Sequence, residues 1–111
     1  MTGISAHVLD TARGRPAAGV PVTLDYQVDG SWQRLAAAVT GPDGRVSGLP
    51  GPPGPGRAAC RLVFAVRDYL AAGSGPAFFP EVTVVFVTTP GEHYHVPLLL
   101  SPYGYTVYRG S

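Results

Sequence analysis

Val20-Pro-Val-Thr-Leu-Asp-Tyr-Gln-Val28 alternates apolar and polar side chains, the period-two pattern of a strand with one buried face. Asp29-Gly30 follows at once. An Asp-Gly pair between two such runs is a hairpin signal, because both central residues of a type I′ turn need positive φ. The chain therefore turns back into a second strand over 31–39. Asp43-Gly44 repeats the signal before a short strand over 45–49, and with no Asn in the chain Asp-Gly carries all the hairpin chemistry. Working outward, the same pattern predicts strands over 4–9, 61–66, 81–88, 94–100 and 105–108, the last two joined by the turn-forming Ser101-Pro-Tyr-Gly. Val, Ile and Thr supply 23 residues, and β-branched side chains favour strands over helices. One short helix fits over 68–72, ended by Gly73-Ser-Gly. About eight short strands separated by turns predict an all-β sandwich.

A chain of 111 residues makes one domain, 1–111, and is too short for two cores. Its 15 Gly and 12 Pro raise the question of disorder, which 28 Leu, Ile, Val and Phe residues answer: enough apolar side chains are present to assemble a core. The segment Gly48-Leu-Pro-Gly-Pro-Pro-Gly-Pro-Gly holds a Gly-X-Y period for too few triplets to make a triple helix, and reads as a stiff surface loop. Charged residues are 14% of the chain with a net charge of +1. That balance excludes a polybasic nucleic-acid reader and an acidic tail protein. Cys60 stands alone, so neither an internal disulfide nor a cysteine metal site is expected, and a reducing compartment is permitted. The first residues show no basic segment followed by an apolar one, and no apolar run approaches the ~18 residues of a membrane span. The expectation is a cytoplasmic protein with no nucleic-acid or membrane partner.

Candidate chemistry rests on few side chains. His7 lies in the first predicted strand and His93 and His95 in the seventh. Alternation puts His93 and His95 on one face, with Pro97 and Leu99 continuing the row. Three convergent imidazoles suggest a zinc site or an acid/base site, against the plainer reading of surface or hydrogen-bonded core histidines. Arg45, directly after Asp43-Gly44, can aim a bidentate guanidinium at a planar, oxygen-rich ligand, or be an ordinary solvated loop arginine. Tyr108-Arg109-Gly110-Ser111 offers an aromatic ring, a cation and a hydroxyl for a small polar pocket. Tyr94, Tyr103 and Tyr105 read as core or interface aromatics.

Three stretches carry a resemblance. His93-Tyr-His-Val-Pro-Leu-Leu-Leu-Ser-Pro-Tyr-Gly-Tyr, closing with Tyr108-Arg-Gly-Ser, is similar to the C-terminal signature of the 5-hydroxyisourate hydrolases, transthyretin-like enzymes of purine catabolism. Ser5-Ala-His-Val-Leu-Asp-Thr-Ala-Arg-Gly-Arg-Pro-Ala resembles their first strand and loop, and Pro42-Asp-Gly-Arg and Phe78-Phe-Pro-Glu-Val agree. The similarity spans essentially the whole chain. Thr106-Val107 and the Gly/Pro-rich loop depart from the usual pattern without touching the matched site positions.

The resemblance implies a transthyretin-like sandwich of eight strands with one short helix, assembled as a homotetramer with active sites between dimers. It implies hydrolysis of 5-hydroxyisourate to 2-oxo-4-hydroxy-4-carboxy-5-ureidoimidazoline with neither cofactor nor metal. By residue, it places catalysis on His7, Arg45 and His95, and substrate binding on Tyr108, Ser111 and His93. The alternatives from other classes are a transthyretin-type carrier of a small aromatic ligand and a three-histidine zinc enzyme. The Tyr-Arg-Gly-Ser ending, expected to be missing from hormone carriers, argues against the first. The lack of an acidic partner argues against the second.

Overall fold

The computed structural model describes residues 2–74 and 76–111. Nine strands and one helix are present among them, in the order β1 (Gly3–Asp10), β2 (Arg15–Pro16), β3 (Pro21–Val28), β4 (Ser31–Val39), β5 (Arg45–Pro50), β6 (Ala58–Phe64), α1 (Arg67–Ser74), β7 (Val82–Thr88), β8 (His93–Ser101) and β9 (Gly104–Val107). One sheet has the order β4-β3-β6-β7. In the other, β1 pairs with β8, β9 follows β8, and β2 and β5 share the far side of β1. β5 takes Gly3 to His7 and β2 takes Leu9 and Asp10.

Most strands form close to where the sequence predicts them. In β1, Ile4, Ala6, Val8 and Asp10 turn inward while Ser5 and His7 turn outward. In β8, Tyr94, Val96, Leu98 and Leu100 face the core. They meet Val22, Leu24, Leu62 and Phe64 of the opposite sheet, all buried, and close a two-layer core. Each fully buried leucine contributes about 2 kcal/mol through loss of apolar surface to water. Asp29 has φ 50°, and the hairpin from β3 to β4 is paired from Val28 and Ser31 outward, as the Asp-Gly signal predicts.

Several expectations need correction. Asp43-Gly44 is no hairpin: β4 and β5 belong to different sheets, so the turn carries the chain from one layer to the other. Thr40 fixes that crossing, its hydroxyl donating to the Ala17 carbonyl at 2.7 Å and accepting from the Val20 amide at 2.9 Å. Where the predicted strand over 45–49 and the predicted loop from Gly48 overlap, the strand holds and extends to Pro50, because Ile4 and Gly3 pair with Leu49 and Pro50. β6 starts at Ala58 and stops before Ala65 and Val66, since its register against β7 begins at Ala58 opposite Thr88. The two-residue β2 was too short to carry a periodicity. The helix runs from Arg67 through Ser74, about a turn longer than predicted. Gly75, the last residue of the predicted stop, lies outside the described residues.

Polar tethers lock the layers' edges. Asp10 accepts from the amides of Ala12 and Arg13 and from the Tyr69 hydroxyl at 2.7 Å, tying α1 to the end of β1. Burial, then the Asp10 carboxylate, push the Tyr69 phenol up to about 12. On the second sheet Asp25, buried in β3, accepts from Arg34 of β4 at 2.6 Å and from Arg61 of β6 at 2.8 Å. Arg61 also lies 4.5 Å over the Trp32 ring. Burial alone would raise the Asp25 carboxyl, but the two guanidinium hydrogen bonds and charges outweigh it and hold it below its usual value.

That shift has a signed consequence. A carboxyl depressed in the folded state contributes stability above its unfolded value of ~3.9, and loses it as pH falls through the folded value. The thermal midpoint, followed by circular dichroism, is expected to drop below about pH 4 in the parent chain. Asp25→Asn is expected to be less stable at neutral pH by about 2 kcal/mol, the worth of a charged hydrogen bond, and to show a flatter acid limb.

Candidate active site

The outward rows of three neighbouring strands build the site. β1 and β8 run parallel with Ser5 opposite His95 and Gly3 opposite His93. β5 runs antiparallel on the other side of β1, with Arg45 opposite His7. Because inward residues of all three strands fill the core, their alternates Ser5, His7, Arg45, Ser47, His93 and His95 share the outer face.

The Ser5 hydroxyl lies between two rings, 2.7 Å from His95 Nδ1 and 3.1 Å from His93 Nε2. The His7 ring stands 6.5 Å from that of His95, centroid to centroid. His7 Nε2–H donates to the Asp43 carbonyl at 2.9 Å, leaving Nδ1 of a neutral His7 ring as an acceptor. Arg45 is held by its backbone: its amide donates to Asp43 Oδ1 at 3.0 Å, while its guanidinium stays more than half exposed. Gly44 makes this loop possible. Its φ is +75° and an added Cβ would lie 2.4 Å from the Val8 carbonyl oxygen, so a side-chain-bearing residue there would move the loop off β1 and Arg45 with it.

The end of the chain closes the site. Gly110 N–H donates to the His95 carbonyl at 2.8 Å, forming an isolated antiparallel bridge. A Cβ on Gly110 would fall 2.8 Å from His95 Cδ2 and 3.0 Å from Pro97 Cγ, so the tail packs directly on the imidazole. Arg109 does not enter the polar pocket. It stacks 4.4 Å over the Tyr94 ring and pairs with Glu92 at 3.2 Å. The result is a pocket of about 240 Å³ lined by Ser5, Ala6, Arg45, Val46, Ser47, His93, His95 and Ser111.

Of the predicted site residues, Arg45, His93, His95 and Ser111 line this pocket, and His7 stands beside it. Tyr108 does not. It lies on a separate, largely apolar cavity of about 340 Å³ with Val84, Phe86, Tyr94, Val96 and Val107. Tyr103 and Tyr105 are exposed and only Tyr94 is core. Ser5 and Ser47 were missed. Period two from His7 puts Ser5 on the same face, but its meeting with His95 depends on a strand register that only the fold supplies. Among the described residues, no three His, Cys, Asp or Glu side chains stand close enough to hold a metal ion.

The electrostatics suit general base chemistry. Burial, followed by the charges of Arg45, His7 and His93, lowers the His95 imidazole from its ordinary value. His95 is therefore neutral at pH 7. An unprotonated imidazole, a half-exposed guanidinium and hydroxyls around a small polar concavity can activate water and steady an oxyanion.

Comparison with known proteins identifies the family. Residues 4–110 match the family model described as HIUase/Transthyretin family. The 5-hydroxyisourate hydrolase of Salmonella dublin is 42% identical over 113 residues, covering 97% of this chain and 80% of that protein. The structure of the Klebsiella pneumoniae 5-hydroxyisourate hydrolase superposes with a TM-score of 0.83 at 32% identity, covering 100% of both chains. Transthyretin from Sparus aurata superposes with a TM-score of 0.86 at 28% identity, covering 96% of this chain and 95% of that one. The outer-face site sits on a sandwich shared with both superposed structures, and the chain belongs to the HIUase/Transthyretin family.

Proposed function

We propose that this chain hydrolyses 5-hydroxyisourate, giving 2-oxo-4-hydroxy-4-carboxy-5-ureidoimidazoline in urate breakdown, by imidazole-assisted attack of water on a ring carbonyl. The observation that carries the reading is the convergence of His95, Arg45 and Ser111 on one small polar pocket, with His7 6.5 Å from His95. Relatives at up to 46% identity bear the same activity in their names.

Opening a cyclic acyl C–N bond needs a base for water, charge stabilisation for the oxyanion and a proton for the departing nitrogen. His95 is the base. Its Nδ1 is engaged by Ser5, so Nε2 is the nitrogen that takes the water proton and returns it to the leaving nitrogen. His7, oriented through its Nε2–H to Asp43, positions the water. Arg45 grips a substrate oxygen and stabilises the negative charge that develops on it. Ser111 and His93 border the substrate, while Tyr108 lines the neighbouring cavity. No metal or cofactor enters these steps.

The pocket is open on the face of a sheet, and pairing that face with another would exclude water and deepen it. A homotetramer with sites between dimers is the assembly this reading favours. The chain is read as cytoplasmic. No helix among the described residues is long and apolar enough to cross a membrane.

The first test is the ultraviolet decay of freshly generated 5-hydroxyisourate with chelator-treated protein against the spontaneous rate. Acceleration is expected; none from folded protein would move the weight to a ligand carrier, or to a zinc enzyme if zinc restored it. His7→Ala and Arg45→Ala are expected to stay folded and lose about 100-fold or more in kcat/KM, and full turnover by either would overturn the assignment. Since the base must be neutral and His95 is lowered, activity is expected to persist to mildly acid pH and fall along a limb below the ordinary ~6.5. A rate flat from pH 8 to 5 would contradict it. Gly110→Ala, whose Cβ would strike the His95 ring and Pro97, is expected to cut turnover about tenfold or more by displacing ring and tail, with the thermal midpoint much less affected.

A further inference from the structure

Ser5 occupies a position that the chemistry above uses only as a prop for His95. It is half-buried, on β1, and its oxygen is within hydrogen-bonding distance of one nitrogen on each of two rings of β8: His95 Nδ1 at 2.7 Å and His93 Nε2 at 3.1 Å. A serine hydroxyl has one proton and two lone pairs. Joined to both rings, it can accept from one and donate to the other, and it cannot donate to both. The protonation of His95 Nδ1 is thereby coupled to that of His93 Nε2.

We propose that Ser5 is a proton relay through which the exposed His93 shares the proton that His95 takes from water, an inference that rests on the hydrolase reading above. At rest both rings are neutral, His95 Nδ1–H donates to Ser5 Oγ, and Ser5 O–H donates to His93 Nε2. When His95 Nε2 takes a proton from the attacking water, its Nδ1 proton passes to Ser5 and the Ser5 proton passes to His93 Nε2. His93 becomes the imidazolium and His95 is neutral with its proton on Nε2. As the C–N bond breaks, the Nε2 proton goes to the departing nitrogen, and the two relay protons return from His93 to Ser5 and from Ser5 to His95 Nδ1. One water proton has reached the leaving nitrogen, no charge is left over, and the rings are back at the start.

The surroundings favour storing the cation on the outer ring. His95 is half-buried, with Arg45 of β5 and His7 of β1 on its side, and both burial and Arg45 oppose a positive charge there. His93 is exposed, where water solvates a cation. The charged groups beside it, Glu92 and Arg109, are paired with each other at 3.2 Å, and Arg109 also donates to the His93 carbonyl at 3.5 Å. Without the relay the imidazolium would have to stay on the half-buried ring of His95, whose burial and nearby Arg45 charge both oppose it.

Ser5 is thus a positioning and relay residue, acting through His95 and His93. Ser5→Ala is expected to lower kcat about tenfold or more, within the range of acid/base effects, with KM within about twofold. Ser5→Thr, which keeps the hydroxyl, is expected to restore most of it. In mixed light and heavy water, the parent's kcat is expected to bow downward with deuterium fraction, as for several protons in flight, and that of Ser5→Ala to be linear. Ring-nitrogen NMR of the substrate-free protein reads the bridge separately: Ser5→Ala is expected to shift the His93 and His95 signals and spare His7. Unmoved His93 and His95 signals, a parent-like kcat for Ser5→Ala, or a loss that threonine does not restore would each overturn the relay. If the parent chain failed to accelerate 5-hydroxyisourate decay while the NMR shifts appeared, the hydrolase reading would fall and the bridge would stand.

Discussion

The parallel register of β1 against β8 is the constraint from which the rest of the site follows. Parallel neighbours cannot be joined by a tight turn, and here nearly the whole chain separates them. Once Ile4 sits opposite Tyr94 and Ala6 opposite Val96, all four side chains face the core. The next residues along must then face outward together. Ser5 meets His95 because Ile4, Ala6, Tyr94 and Val96 are buried. A slip of one residue would send Ser5 and the histidines into the apolar layer and Ile4 into water, so the energy of the core enforces the geometry of the polar row.

Two close backbone approaches convert that row into a pocket. On one side Gly44 lets the crossover loop lie against the Val8 carbonyl, so Arg45 enters opposite His7. On the other, Gly110 lets the final residues lie on His95 and Pro97 and brings Ser111 to the rim. Arg109 supports the second approach by stacking on Tyr94 and pairing with Glu92. An exposed pair of this kind contributes little alone. Its place immediately beside Gly110 nevertheless limits where the tail can go.

How much of this is legible in the sequence depends on the range of the cause. Alternation and the Asp29-Gly30 turn signal are local, and they give the strands from 4 to 9, 31 to 39 and 94 to 100 nearly at their observed bounds, along with the common face of His93 and His95. The meaning of Asp43-Gly44 is not local. The dipeptide specifies a reversal, but whether the reversal joins two strands of one sheet or two sheets is decided by the bonds of Thr40 to Ala17 and Val20, far away in sequence. The resemblance of the last residues to a known signature supplies the candidate set by homology, and it groups Tyr108 with Ser111. The bridge at Gly110 parts them, because the residues on either side of it lead to different cavities. Ser5 carries no chemical mark of its own in the sequence, since a serine in a strand is ordinary until its opposite number is known.

The sandwich itself does not determine what the molecule does. The superposition on a hydrolase and on a transthyretin is of similar quality, as expected when one architecture hosts different functions. The difference must reside in side chains that the core does not constrain, and the outward row of β1, β5 and β8 is such a set. Replacing an outward residue leaves the buried alternates untouched, so this row is free to hold a lone cation, paired imidazoles or an apolar patch at little cost to folding. In this chain it holds a lowered imidazole, a guanidinium and a bridging hydroxyl within one small concavity. A surface that served only to bind an apolar ring would have no use for a proton acceptor kept neutral beside a cation. That combination stabilises charge that forms and disappears, which is the requirement of a reaction rather than of storage.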